Sequence, residues 1–139
     1  MKQMIKEKWR QPMWDAMLNS LPATITINLK TQSYVVRDNS LQCIFADDID
    51  ESGVDEIIQE LAEQLNFTSG CEFQEVFSMR RLMEAWNGDQ NGYSLLSRMD
   101  GSEITILKTD VIFGQGSREM IAELRFDLFD GNSQLFARI

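Results

Sequence analysis

The sequence predicts an α+β domain built on one antiparallel sheet with helices over one face. Three observations carry that prediction. Apolar residues alternate at period two near the start, recur at helical spacing through the middle, and return to period two over the last third. At 139 residues, with 43% apolar and 25% charged side chains, the chain has room for one domain with a substantial core.

The elements follow in order. Met4, Ile5 and Trp9, then Met13, Trp14, Met17, Leu18 and Leu21, mark an amphipathic N-terminal helix over residues 1–20, with Pro12 suited to a first helical turn. Its apolar stripe has two readings, packing on its own domain or forming a dimer seam. After Pro22 the period changes: Ile25, Ile27 and Leu29 alternate with Thr24, Thr26 and Asn28. Lys30-Thr31-Gln32 then turns the chain into a second strand from Ser33 to Asp38. Leu41 to Phe45 is a short apolar patch.

An acidic stretch from Asp47 to Glu56 leads into a helix marked by Ile57, Ile58, Leu61, Ala62 and Leu65, with Ser52 as its N-cap. Phe67 to Gly70 is a loop. One further helix is predicted from Cys71 to Trp86, with Phe73, Val76, Phe77, Leu82, Met83 and Trp86 inward and Asn87-Gly88 as its stop. Three strands close the chain: Gly92 to Met99, Glu103 to Phe113, and Arg118 to Phe129. Met99-Asp100-Gly101-Ser102 and Gly114-Gln115-Gly116-Ser117 are the turns between them.

Composition excludes several function classes. A net charge of −9 disfavours a nucleic-acid partner, which needs a basic patch. No apolar run approaches the ~20 residues that span a bilayer, and no signal-peptide stretch opens the chain, so a cytoplasmic protein without membrane insertion is expected. There is no histidine, which removes imidazole metal ligands, histidine bases and axial haem ligation. Cys43 and Cys71 lie outside any CxxC pairing and read as small buried hydrophobes.

The stretch L-P-A-T-I-T-I-N-L-K-T-Q-S-Y-V-V-R (Leu21 to Arg37), the stretch F-S-M-R-R-L-M-E-A-W-N-G (Phe77 to Gly88), and the three closing strands together resemble a PAS domain. The resemblance covers about residues 13 to 130, and is to the PAS-like sensors found ahead of diguanylate cyclase and other bacterial signalling modules. It implies a PAS-like domain over residues 21–139, with a five-stranded antiparallel sheet in the order 2-1-5-4-3. It further implies helices over one face, a homodimer through the N-terminal helix, and a small ligand held between sheet and helices. The chain would then act as a sensory or dimerisation module, not itself an enzyme, that relays to an output domain missing from this chain. The resemblance carries over neither haem nor a photoactive flavin. No histidine is present, and neither Q-C-I-F at Cys43 nor G-C-E-F at Cys71 matches the Asn-Cys-Arg-Phe setting of flavin photosensors. No cofactor is therefore expected.

The remaining motifs weigh toward structure. Asp48-Ile49-Asp50-Glu51-Ser52-Gly53 opens like a calcium loop, but its twelfth position is Gln59 where a bidentate Glu belongs, so no metal is expected. Gly114-Gln115-Gly116 lacks the third glycine and the following helix of a phosphate-binding turn. Arg37 and Arg98, each within an apolar strand, are the candidate anion anchors, and salt bridging is the structural alternative. Residues expected to line any pocket are Ile25, Ile27, Tyr34, Val36, Phe73, Phe77, Trp86 and Leu124, which a filled core would equally use. The alternative function is a cone-fold, ketosteroid-isomerase-like enzyme or carrier, against which the early hairpin counts.

Overall fold

The computed structural model describes residues 12, 14–17, 19–47, 53–99, 105–114 and 120–130. Residue 12 and residues 14–17 are helical and form α1. The strands β1 (Ala23–Asn28), β2 (Ser33–Arg37) and β3 (Cys43–Asp47) follow. Next come the helices α2 (Gly53–Leu65), α3 (Gly70–Val76) and α4 (Met79–Asn87), then β4 (Gly92–Met99), β5 (Thr105–Phe113) and β6 (Ile121–Asp130). The turns at residues 100–104 and 115–119, the calcium-like loop at 48–52 and most of the N-terminal stripe lie outside the described residues.

All six strands join one antiparallel sheet in the order β3-β2-β1-β6-β5-β4. The expected five-stranded sheet is thus corrected to six, because β3 adds to the free side of β2. Its sequence, Cys-Ile-Phe-Ala-Asp, shows no clean alternation, and the β2–β3 register shifts between Val36 and Arg37. A bulge of this kind breaks the period-two signal that marks a strand.

The alternation elsewhere sorts the two faces. Ile25 sits between Val36 on β2 and Leu124 on β6, and Ile27 between Tyr34 and Ala122. These residues, with Leu107, Val111 and Phe113 of β5, are buried in one continuous core. The helices complete it. α2 contributes Val54, Ile57, Ile58, Leu61, Ala62 and Leu65, a helical stripe whose burial stabilises the domain by about 25 cal/mol per Å² of apolar surface. Trp14 and Met17 of α1 are buried in the same core.

The single helix expected from Cys71 to Trp86 is two. α3 stops at Val76, and Ser78 takes an extended conformation (φ −66°, ψ 155°) that starts α4. The Ser78 hydroxyl donates to the Glu75 carbonyl (2.9 Å) and accepts from the Arg81 N–H (3.2 Å). One side chain thereby serves the end of one helix and the start of the next, which is why serine favours helix boundaries. The cysteines also depart from expectation. Cys43 opens the edge strand and Cys71 lies in the first turn of α3, and both thiols are exposed.

Candidate functional site

The residues expected to line a pocket lie together in the hydrophobic core. Ile25, Ile27, Tyr34, Val36, Phe73, Phe77 and Leu124 are each at most 1% exposed, and Trp86 packs half-buried against them. They belong to the interior between the sheet and the three helices, where Tyr34 stacks with Phe45 at 6.1 Å.

A row of rings runs through this interior where α3 and α4 meet β4 and β5. Phe67 contacts Phe73 at 4.9 Å between centroids, Phe73 contacts Phe77 at 5.0 Å, and Phe77 contacts Tyr93 at 5.7 Å. Tyr93 reaches Phe113 at 6.2 Å, and Trp86 stands edge-on to Phe113 at 6.1 Å. Tilted and offset pairs at these separations are favourable beyond simple burial.

Tyr93 is the polar member of the row. Its hydroxyl donates to the Val76 carbonyl at 2.6 Å, and the Arg81 guanidinium lies 5.3 Å from its ring centroid. Burial pushes the phenol up to about 12, against the opposing pull of the Arg81 charge. Desolvation therefore outweighs the cation, and the phenol stays neutral at physiological pH. A second contact fixes the same corner: the Asp55 carboxylate in the first turn of α2 accepts the Met79 N–H at 2.8 Å, at the start of α4. The α3–α4 corner is thus tied to β4 through Tyr93 and to α2 through Asp55.

Thr109 is one of three buried polar residues among those described, with Thr24 and Ser97, and like Thr24 Oγ1 and Trp14 Nε1 it lacks a hydrogen-bond partner; the residue pattern did not single it out. It lies on the covered face of β5, opposite Leu95 of β4 and Phe126 of β6. It is 0% exposed, and its hydroxyl has no hydrogen-bond partner among the described residues. The signal was present in parity: Leu107, Thr109, Val111 and Phe113 share one face, and Thr109 interrupts three apolar side chains.

The anion anchors lie elsewhere. Arg37 pairs with Thr24 across β1, so it stands on the face opposite Ile25 and Val36, where it donates to the Thr26 hydroxyl at 3.2 Å. Arg98 is exposed on that same open face, opposite Ile106. Neither side chain meets the interior residues. Of the arginines on α4, Arg80 points to solvent and pairs with Glu84 at 2.9 Å, whereas Arg81 turns over Tyr93.

Among the described residues no group of three or more His, Cys, Asp and Glu is arranged to hold a metal ion. No described helix is long and apolar enough to cross a membrane. Comparison with family models, curated proteins and solved structures found no match to this chain.

Proposed function

We propose that the chain is a PAS-like sensory and dimerisation module of a bacterial signal-transduction protein, and that it takes a small, largely apolar ligand between its sheet and helices. The observation that carries this reading is Thr109. An unpartnered hydroxyl in a largely apolar interior costs about 1–3 kcal/mol, a cost that a ligand's own hydrogen-bonding group removes. The Phe126 ring, its cross-strand partner on β6, supplies flat surface for the rest of such a ligand, and a few polar groups among apolar side chains are the usual make-up of small-molecule sites. Further support comes from element order. Three strands, three helices and a second three-stranded meander put β1 beside β6, with β2 and β3 beyond β1 and the helices inserted between the two halves of the sheet.

The α3–α4 corner is the moving part in this reading. Its polar ties are one phenol and one carboxylate and its apolar ties are Phe73 and Phe77 on the aromatic row, so ligand entry between β4 and α4 requires those two bonds to open and the rings to shift. The displaced corner then carries the signal to an output domain. The cone-fold alternative needs a buried aspartate near a tyrosine; the Tyr93 hydroxyl is instead engaged by a backbone carbonyl.

Native mass spectrometry of the purified full chain, repeated after denaturation, tests the proposal. The expected result is a small additional mass that is lost on denaturation, with its occupancy lowered about fivefold or more in Thr109→Val. A bare wild-type chain, or equal occupancy in Thr109→Val, overturns it. In the ligand-free protein Thr109→Val should raise unfolding free energy by about 1 kcal/mol, since it removes a hydroxyl that lacks a partner.

A further inference from the structure

The two edges of the sheet are guarded very differently. β3 is short, carries Asp47 and meets its partner through a shifted register. Natural edges are blunted by such devices, because an open row of backbone donors and acceptors recruits another strand. β4, at the other edge, has eight residues, Gly-Tyr-Ser-Leu-Leu-Ser-Arg-Met, with no proline and no acid, in a chain that holds 22 Asp and Glu.

Its open backbone groups can be named. The Thr68 N–H donates to the Arg98 carbonyl at 3.0 Å, and Phe67 bridges Met99, so Arg98 points away from β5. The Asn91 carbonyl, seven residues earlier, accepts the Phe113 N–H at 3.0 Å and points toward β5. Backbone direction alternates along a strand, so Ser94 and Leu96 present both N–H and C=O outward. Phe67 and Thr68 close only the Arg98 end. The Leu96 side chain is 48% exposed beside these groups.

We propose that β4 is a homodimer edge, on which a second copy adds its own β4 antiparallel to form one continuous sheet across two chains. The strand is self-complementary about Leu95. A two-fold axis there sets Ser94 opposite the second copy's Leu96, and Leu96 opposite its Ser94, so four backbone hydrogen bonds form between the outward groups. Leu95 meets its own copy on the helix-covered side. Charge favours the same direction: Arg98 sits at one end of β4 and exposed Asp89 just before the other. Antiparallel pairing brings these unlike ends together, whereas parallel pairing aligns like with like. The inference stands apart from the ligand reading. It also differs from a seam through the N-terminal helix, two of whose apolar residues, Trp14 and Met17, are already buried in their own core.

The test uses three full-chain variants and one direct observation. Sedimentation equilibrium of the wild type should show a concentration-dependent dimer. Leu96→Pro removes an outward N–H without touching the β5 ladder, and Leu96→Glu opposes two carboxylates to the partner strand. Each should raise the dissociation constant about tenfold or more, while Ile5→Glu, in the N-terminal stripe, leaves it unchanged. Amide exchange at Ser94 and Leu96 should slow as wild-type concentration rises, which decides the matter even if the proline variant fails to fold. A wild type that stays monomeric, exchange at these amides that ignores concentration, or dissociation by Ile5→Glu alone overturns the proposal.

Discussion

Tyr93 joins more of the molecule than any neighbouring side chain: it stacks on Phe77, touches Phe113, lies under Arg81 and bonds Val76. Tyr93→Phe keeps the rings and loses the bond, so it should lower unfolding free energy by about 1 kcal/mol in denaturant titration. The pH dependence has a definite sign. The folded phenol titrates at about 12, above its ordinary value of 10, so the native state holds its proton longer than the unfolded chain. That contribution is complete below pH 10 and is lost as pH rises toward 12, and wild-type stability should fall over that window more steeply than Tyr93→Phe. Parallel curves for the two proteins would mean that Tyr93 is solvated in the native state. At this scale the sequence was legible for apolar positions and silent for polar ones. Alternation and helical spacing identify Ile25, Val36, Phe73 and Leu124, because burial is periodic. Nothing periodic shows that Arg81 rather than Arg80 covers a ring, since that depends on where a helix is interrupted.

The interruption belongs to the elements. Phe73, Phe77 and Trp86 read as one helical stripe across residues 71–86, yet the helix is interrupted at Phe77 and Ser78, where a side-chain cap and the Asp55 contact at Met79 restart it. A stripe reports which residues face inward, and two short helices packed on the same face share it. Ser78→Ala should cost about 1 kcal/mol, typical for a lost N-cap, and Asp55→Ala a comparable amount. Because both act on the start of α4, their combined effect in thermal unfolding should be less than the sum. Strict additivity would show that the two caps hold independent pieces. The strands tell a complementary story. β4 matches its predicted bounds, and β1, β2, β5 and β6 fall within a few residues of theirs, because each has one buried and one open face. β3 was illegible because a bulge beside it shifts the pairing and its five residues carry no alternation. Gly92 owes its identity to the sheet itself: a Cβ there would collide with the Val111 carbonyl oxygen. Gly92→Ala should therefore loosen the β4–β5 pairing and destabilise the fold.

At the scale of the whole molecule, charge sets the terms. The net charge of −9 makes each chain repel itself and every other copy. The ion pairs Arg80–Glu84 and Arg125–Glu123 lie at the surface and contribute little against that field. Raising ionic strength from about 0.01 M to 0.15 M shortens the screening length from about 30 Å to about 8 Å, which weakens long-range repulsion more than short contacts. The midpoint of thermal unfolding should therefore rise with salt, by a few degrees if the relief is about 1 kcal/mol. The same titration separates two ways of holding the β4 edge. A dimer held mainly by Arg98 and Asp89 dissociates as salt screens them. A dimer held by backbone hydrogen bonds across Ser94 and Leu96 gains, because salt removes the repulsion between two acidic bodies and leaves the neutral ladder intact. We expect sedimentation equilibrium to show tighter association at 0.15 M than at 0.01 M, and weaker association there would assign the edge to its terminal charges instead.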